Sequence, residues 1–71
     1  MMFPIYVRTL NGRGEVENTE ILQHNFKERK DAVARLNGMV DRLKPKAGYD
    51  DKHDLWWTRV NEIVVHYTIG A

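Results

Sequence analysis

The sequence predicts a small α+β domain in which one helix packs across one face of an antiparallel sheet. Three observations carry this expectation. An alternating segment near the N-terminus runs into Asn11-Gly12 and returns. A central segment repeats apolar residues at helical spacing. Two segments rich in strand formers close the chain. At 71 residues the chain is one domain. The predicted order is β-β-α-β-β, with the helix between two hairpins.

Phe3-Pro4-Ile5-Tyr6-Val7-Arg8-Thr9-Leu10 alternates, so Phe3, Ile5, Val7 and Thr9 share one face. Pro4 lacks an amide donor, which suits a strand start or an edge. Asn11 and Gly12 both tolerate positive φ, and a type I′ turn is expected there. The chain then returns over about Glu15 to Gln23, with Gly14 placed for a bulge. This arm has only Val16, Ile21 and Leu22 as apolar residues. Its glutamates Glu15, Glu17 and Glu20 mark an exposed strand protected against edge pairing.

Asn25 to Leu43 reads as the helix. Asn25 with Glu28 three residues on matches a capping box. Val33, Leu36, Val40 and Leu43 recur at helical spacing, flanked by Phe26, Ala32 and Met39. Asn37-Gly38 inside this run either ends the helix early or lets another backbone approach. Arg42 and Lys44 suit the negative end of the helix dipole, and Pro45 stops the helix. Arg29 falls near the centre of the apolar stripe. The preferred reading is that the first turn overhangs the sheet and the guanidinium reaches water. The alternative holds Arg29 for a partner's carboxylate or phosphate.

Lys46 to Asp54 reads as a polar loop around Gly48. Leu55 to Val60 and Ile63 to Ile69 read as strands joined by Asn61-Glu62. Ile63, Val65, Tyr67 and Ile69 form a regular apolar face. The rival assignment is a short helix over Asp51 to Val60. The hairpin is preferred because Trp-Trp-Thr-Arg-Val has poor helix propensity.

Ile5-Tyr6-Val7-Arg8-Thr9-Leu10-Asn11-Gly12 resembles the opening hairpin of ubiquitin, and a helix follows as in the β-grasp fold. The resemblance covers eight residues of 71 and implies a β-grasp-like arrangement. The terminal Thr68-Ile69-Gly70-Ala71 lacks the di-glycine used for conjugation in that family, so no conjugation role is implied.

Composition narrows the function classes. The chain is 42% hydrophobic and 30% charged, as in a soluble globular domain. There is no cysteine, which excludes disulfides and thiolate metal sites. Apolar runs such as Leu55-Trp56-Trp57 are too short to cross a membrane. The N-terminus lacks the pattern of a signal peptide, so a cytoplasmic location is expected. A domain this small buries only about 60% of its unfolded surface, which favours oligomerisation. Net charge is +1, yet Lys27 to Lys46 carries seven basic and three acidic residues.

No catalytic residue is assigned, because serine and cysteine are absent and no histidine sits in a nucleophile pattern. His24 precedes the helix cap and reads as a surface histidine. Asp50-Asp51-Lys52-His53-Asp54 reads as a solvated acidic loop, with Asp50 or Asp51 capping a turn. A metal site there would need further convergent ligands. No metal, cofactor or small-molecule substrate is expected.

Adjacent Trp56 and Trp57 are the feature that points to a partner. Strand neighbours face opposite sides, and a domain this size has difficulty burying both rings. Tyr6, Arg8, Trp56 and His66 are expected to share the sheet face that the helix leaves open. There they either form a binding patch or a cross-strand cluster that stabilises the sheet. The expected function is non-catalytic protein–protein binding, with Trp56 or Trp57 as anchor. It would act as a homodimer, or as a regulator or inhibitor docking on a larger assembly, such as a phage or mobile-element accessory protein. The alternative is single-stranded nucleic-acid binding. Lys27, Lys30, Arg35, Arg42, Lys44 and Lys46 would meet phosphates and the tryptophans would stack on bases.

Overall fold

The computed structural model describes residues 2–70, and the side chains of all of these except 23–25. The elements run β1 (Phe3–Leu10), β2 (Val16–Phe26), α1 (Arg29–Leu43), β3 (Ala47–Asp50), β4 (Leu55–Val60) and β5 (Ile63–Ile69). The five strands form one sheet in the order β2-β1-β5-β4-β3, with every pairing antiparallel. A hairpin followed by a helix is present, but the β-grasp-like arrangement implied by the resemblance to ubiquitin is corrected: β1 and β5 lie side by side antiparallel, where that fold pairs its first and last strands in parallel. The three later strands form a meander that folds back beside β1.

The helix links the two edge strands and crosses the sheet between them. Ala32, Leu36 and Val40 are its buried line, one residue per turn. They meet Ile5, Ala47 and Trp56, while Val7, Phe26, Val33, Met39, Tyr67 and Ile69 pack around this centre. Trp56 is 2% exposed and is the largest fully buried side chain. As predicted, the glutamate-bearing strand β2 is an edge, and its described residues from Val16 to Leu22 are exposed.

Four local expectations are corrected. The helix starts at Arg29 with Glu28 as its N-cap, and Glu28 makes no side-chain capping bond. Strand β2 instead continues to Phe26, which pairs with Phe3 and packs on the core. Burying that ring outweighs a cap worth about 1 kcal/mol. The proposed cap Asn25 and its neighbour His24 lie outside the described side chains. Second, the β1–β2 turn runs over Asn11–Glu15 and carries its positive φ at Gly14 (+80°). The Asn11 carboxamide oxygen accepts from the Arg13 and Glu15 amides, at 2.9 and 3.1 Å. That oxygen satisfies two turn donors, which a two-residue turn would not offer it.

Third, Asn37-Gly38 neither ends the helix nor admits a backbone. Gly38 faces open space. The Asn37 carboxamide accepts the indole N–H of Trp56 at 2.8 Å. Fourth, the Lys46–Asp54 loop contains strand β3. Ala-Gly-Tyr-Asp has little strand propensity. It pairs with β4 because Ala47 reaches the core and Gly48 makes room for Trp57.

Candidate functional site

Alternation along each strand decides what the open face carries. Ile5 and Val7 point to the helix, so Tyr6 and Arg8 point away. Tyr67 and Ile69 pack on the core, so His66 and Thr68 point away. Trp56 is buried, so Leu55, Trp57 and Arg59 lie on the open face. The expectation that Trp56 shares this face is therefore corrected: Trp57 takes that place. Trp56 sits beneath the helix and cannot anchor a partner in this fold.

One cross-strand row runs through the middle of the face. Arg8 on β1 and Trp57 on β4 both pair with His66 on β5, from opposite sides. Tyr6 lies one step along β1, opposite Thr68. The structure thus brings together Tyr6, Arg8, His66 and Trp57 of the residues proposed for partner binding.

Two glycines shape the face. A methyl group on Gly48 would stand 2.9 Å from Cζ2 of Trp57, so the indole lies over Gly48. A methyl group on Gly70 would stand 2.5 Å from Cε2 of Tyr6, which lies over Gly70 in the same way. Each ring is half-buried because it rests on bare backbone. Its outer surface remains open to a planar group.

At the β3 corner the face opens into a groove of about 610 Å³, with Asp51, His53, Leu55, Trp57 and His66 in its wall. The β3–β4 turn builds that corner. The Asp50 carboxylate accepts the Lys52 amide at 3.0 Å, and His53 Nδ1 lies 2.8 Å from its second oxygen. The His53 contact, more than any other, holds Asp50 below the usual carboxylate range. The expected turn role of Asp50 is therefore present, and His53 orients the turn.

On the opposite side the turn is tied to the helix. The Tyr49 hydroxyl donates to Asp54 Oδ1 at 2.8 Å, and the Arg29 guanidinium pairs with Oδ2 at 2.5 Å. These bonds, Tyr49 first and Arg29 second, lower the Asp54 pKa. The bond to Asp54 is also the main cause that raises the Tyr49 pKa. The Tyr49 ring in turn packs on Trp56, with centroids 4.5 Å apart at 41°. Arg29 thus reaches past the sheet to a carboxylate of its own chain. Asp54 holds φ at +52°, a strained position that this double anchorage stabilises.

The six basic residues of the nucleic-acid alternative are all exposed, on α1 and the segments flanking it. Lys30 meets Glu28, and Lys44 meets Asp41, both at 3.2 Å. The helix covers the sheet face opposite Trp57. The fold therefore does not bring Lys27, Lys30, Arg35, Arg42 and Lys44 together with the aromatic row, whereas Lys46 lies beside β4, its carbonyl accepting the Arg59 amide at 2.8 Å.

Arg59, Leu55 and the two glycines were missed in the sequence. The signal for the face was nevertheless present. A two-residue turn at Asn61-Glu62 pairs Val60 with Ile63 and so sets Trp56 opposite Tyr67, on the apolar face.

The face and fold together define a two-layer α+β domain with one uncovered aromatic sheet surface. The chain matches no family model, no curated protein and no solved structure. Among the described residues, no group of three or more His, Asp or Glu side chains is placed to hold a metal ion. Among them, too, no helix is long and apolar enough to cross a membrane.

Proposed function

We propose that this chain is a non-catalytic protein-binding domain that docks through the open face of its sheet, with Trp57 as anchor. The observation that carries this reading is the row Arg8–His66–Trp57 on a face that no helix covers. Tryptophan, tyrosine and arginine are the side chains enriched in binding hot spots. Here all three types lie on one surface, with the aromatic rings held flat by the glycines beneath them. Rings held in one orientation lose little conformational freedom on binding.

Charge placement favours a protein partner over a nucleic-acid strand. The open face carries Arg8 and Arg59 but also Asp50, with Asp51 beside it in the groove. Lys27, Lys30, Arg35, Arg42 and Lys44 lie on or beside α1, on the side of the sheet away from the aromatic row. Binding to single-stranded nucleic acid would weaken steeply with salt, and the proposed docking would not.

The test is affinity capture from the source cells with three baits: the unaltered chain, Trp57→Ala and Lys30→Ala. Proteins retained by the unaltered chain and by Lys30→Ala, but lost with Trp57→Ala, would support the reading. Capture unaffected by Trp57→Ala would overturn it.

A further inference from the structure

The partner that the open face fits best is a second copy of the same face. We propose that two chains pack sheet to sheet about a two-fold axis along β5, stacking Arg8 of each copy on Trp57 of the other. This inference rests on the docking role of the open face and goes further by naming the occupant.

The order of the strands supplies the symmetry. Strand β5 is the middle of five, with β1 on one side and β4 on the other. In a two-fold interface, residue i meets j and j meets i. An axis along β5 therefore lays β1 of each copy over β4 of its partner. Arg8 and Trp57 are both cross-strand partners of His66, so they lie at one level and at equal distance from that axis. The same operation sets Tyr6 over Leu55. It also sets Leu10 over the aliphatic stem of Arg59, since both of these pair with Val64. Along the axis itself Val64, His66 and Thr68 of one copy face the same residues of the other, and the aromatic and apolar contacts flank them on either side.

The spacing agrees. Packed sheets stand about 10 Å apart. An indole lying flat on one sheet with a guanidinium stacked on it fills that gap. An upright indole would hold the sheets further apart. Gly48 is what lets the ring lie down, because a methyl group there would reach Cζ2 at 2.9 Å. Stacking on tryptophan is the strongest of the cation–π pairings, and arginine is the cation most often found in it.

Charge and area permit the contact. The chain has a net charge of +1, so two copies repel little. A standard interface takes about 800 Å² from each partner. That is roughly a sixth of the 5075 Å² surface, an area one side of a two-layer domain can supply.

The experiment is sedimentation equilibrium of the purified chain, of Arg8→Ala, of Trp57→Ala, and of the two variants mixed. The unaltered chain should dimerise, and each variant alone should dimerise about tenfold or more weakly, both stacked pairs being lost. The mixture is the decisive sample. A heterodimer keeps one intact pair, Arg8 of one chain on Trp57 of the other, whereas either homodimer keeps none. The mixture should therefore associate more tightly than either variant alone. Arg8 is exposed, so its truncation leaves the fold intact; circular dichroism checks Trp57→Ala. An unaltered chain that stays monomeric up to about 1 mM, the limit of weak specific association, would overturn the inference. So would a mixture no tighter than its components. Monomeric protein together with Trp57-dependent capture of a different protein would leave the docking role standing and remove only the self-pairing.

Discussion

Truncating the two adjacent tryptophans should cost unequal amounts of stability, with the larger loss at Trp56. Trp56 is 2% exposed and touches the centre of the core, including the line of Leu36 and Val40. Burial of a tryptophan removes about 150–250 Å² from water. At about 25 cal/mol per Å², that is roughly 4–6 kcal/mol. Measured losses for such truncations run at about 3–5 kcal/mol. A chain of this length has about 4–10 kcal/mol in total, so Trp56→Ala should remove a large share of it. Trp57 is only half-buried and leaves its outer surface in water. By the same conversion applied to the half of its surface that is covered, Trp57→Ala should cost about 2–3 kcal/mol, less than Trp56→Ala. Urea unfolding followed by far-ultraviolet circular dichroism measures both, since fluorescence would lose its reporter. A one-residue slip of β4 would exchange the two faces. Equal losses, or the larger loss at Trp57, would therefore refute the assignment of faces on which the docking surface depends.

Other perturbations test the supporting contacts. Asn37→Leu leaves the indole N–H of Trp56 without its acceptor. It should cost about 1 kcal/mol, the low end for an unmade bond because Asn37 is exposed and water can reach the site; thermal unfolding reads it. Gly48→Ala drives a methyl group against the Trp57 ring, so the indole must tilt off the sheet. It should cost about 1–3 kcal/mol and increase acrylamide quenching of Trp57 in a Trp56→Phe background. Asp54 has a folded pKa below its unfolded value of about 3.9. Its contribution is therefore present above that value and disappears as pH falls through the folded pKa. Asp54→Asn keeps a residue tolerant of positive φ but removes the charge. Urea midpoints between about pH 4 and pH 2 should fall less steeply for Asp54→Asn than for the unaltered chain. The same bond raises the Tyr49 phenol, whose contribution persists below its ordinary range and is lost as pH rises through the folded pKa. Asp54→Asn should return one tyrosine in an ultraviolet titration to its ordinary range.

Much of the fold was legible because its long elements are strongly patterned. Val33, Leu36 and Val40 announce the helix, and the alternation of Ile63, Val65, Tyr67 and Ile69 announces β5. What escaped depends on contacts between distant segments. Strand β3 has no pattern of its own, and only the indole of Trp57 over Gly48 and the helix over Ala47 make it a strand. Asn37 reads as a helix weakness until Trp56 is seen to donate to it across nineteen residues. Asn25 and Glu28 form a genuine local signal, yet the burial of Phe26 overrides it. The open face was anticipated in kind, and Tyr6, Arg8 and His66 lie on it. Its tryptophan was misassigned by one residue, because Trp56 was not traced through the Asn61-Glu62 turn to its partner Tyr67.

The most direct measurement is dilution of the nitrogen-labelled chain from about 1 mM to about 10 μM, a range that spans weak to moderate association, followed by amide and indole N–H resonances. The indole of Trp57 and the amides of Arg8 and His66 should shift with concentration, while the indole of Trp56 stays fixed beneath the helix. Shifts confined to the outer side of α1 or to the free edge of β2, or a Trp56 indole that moves in place of Trp57, would contradict association through the open face.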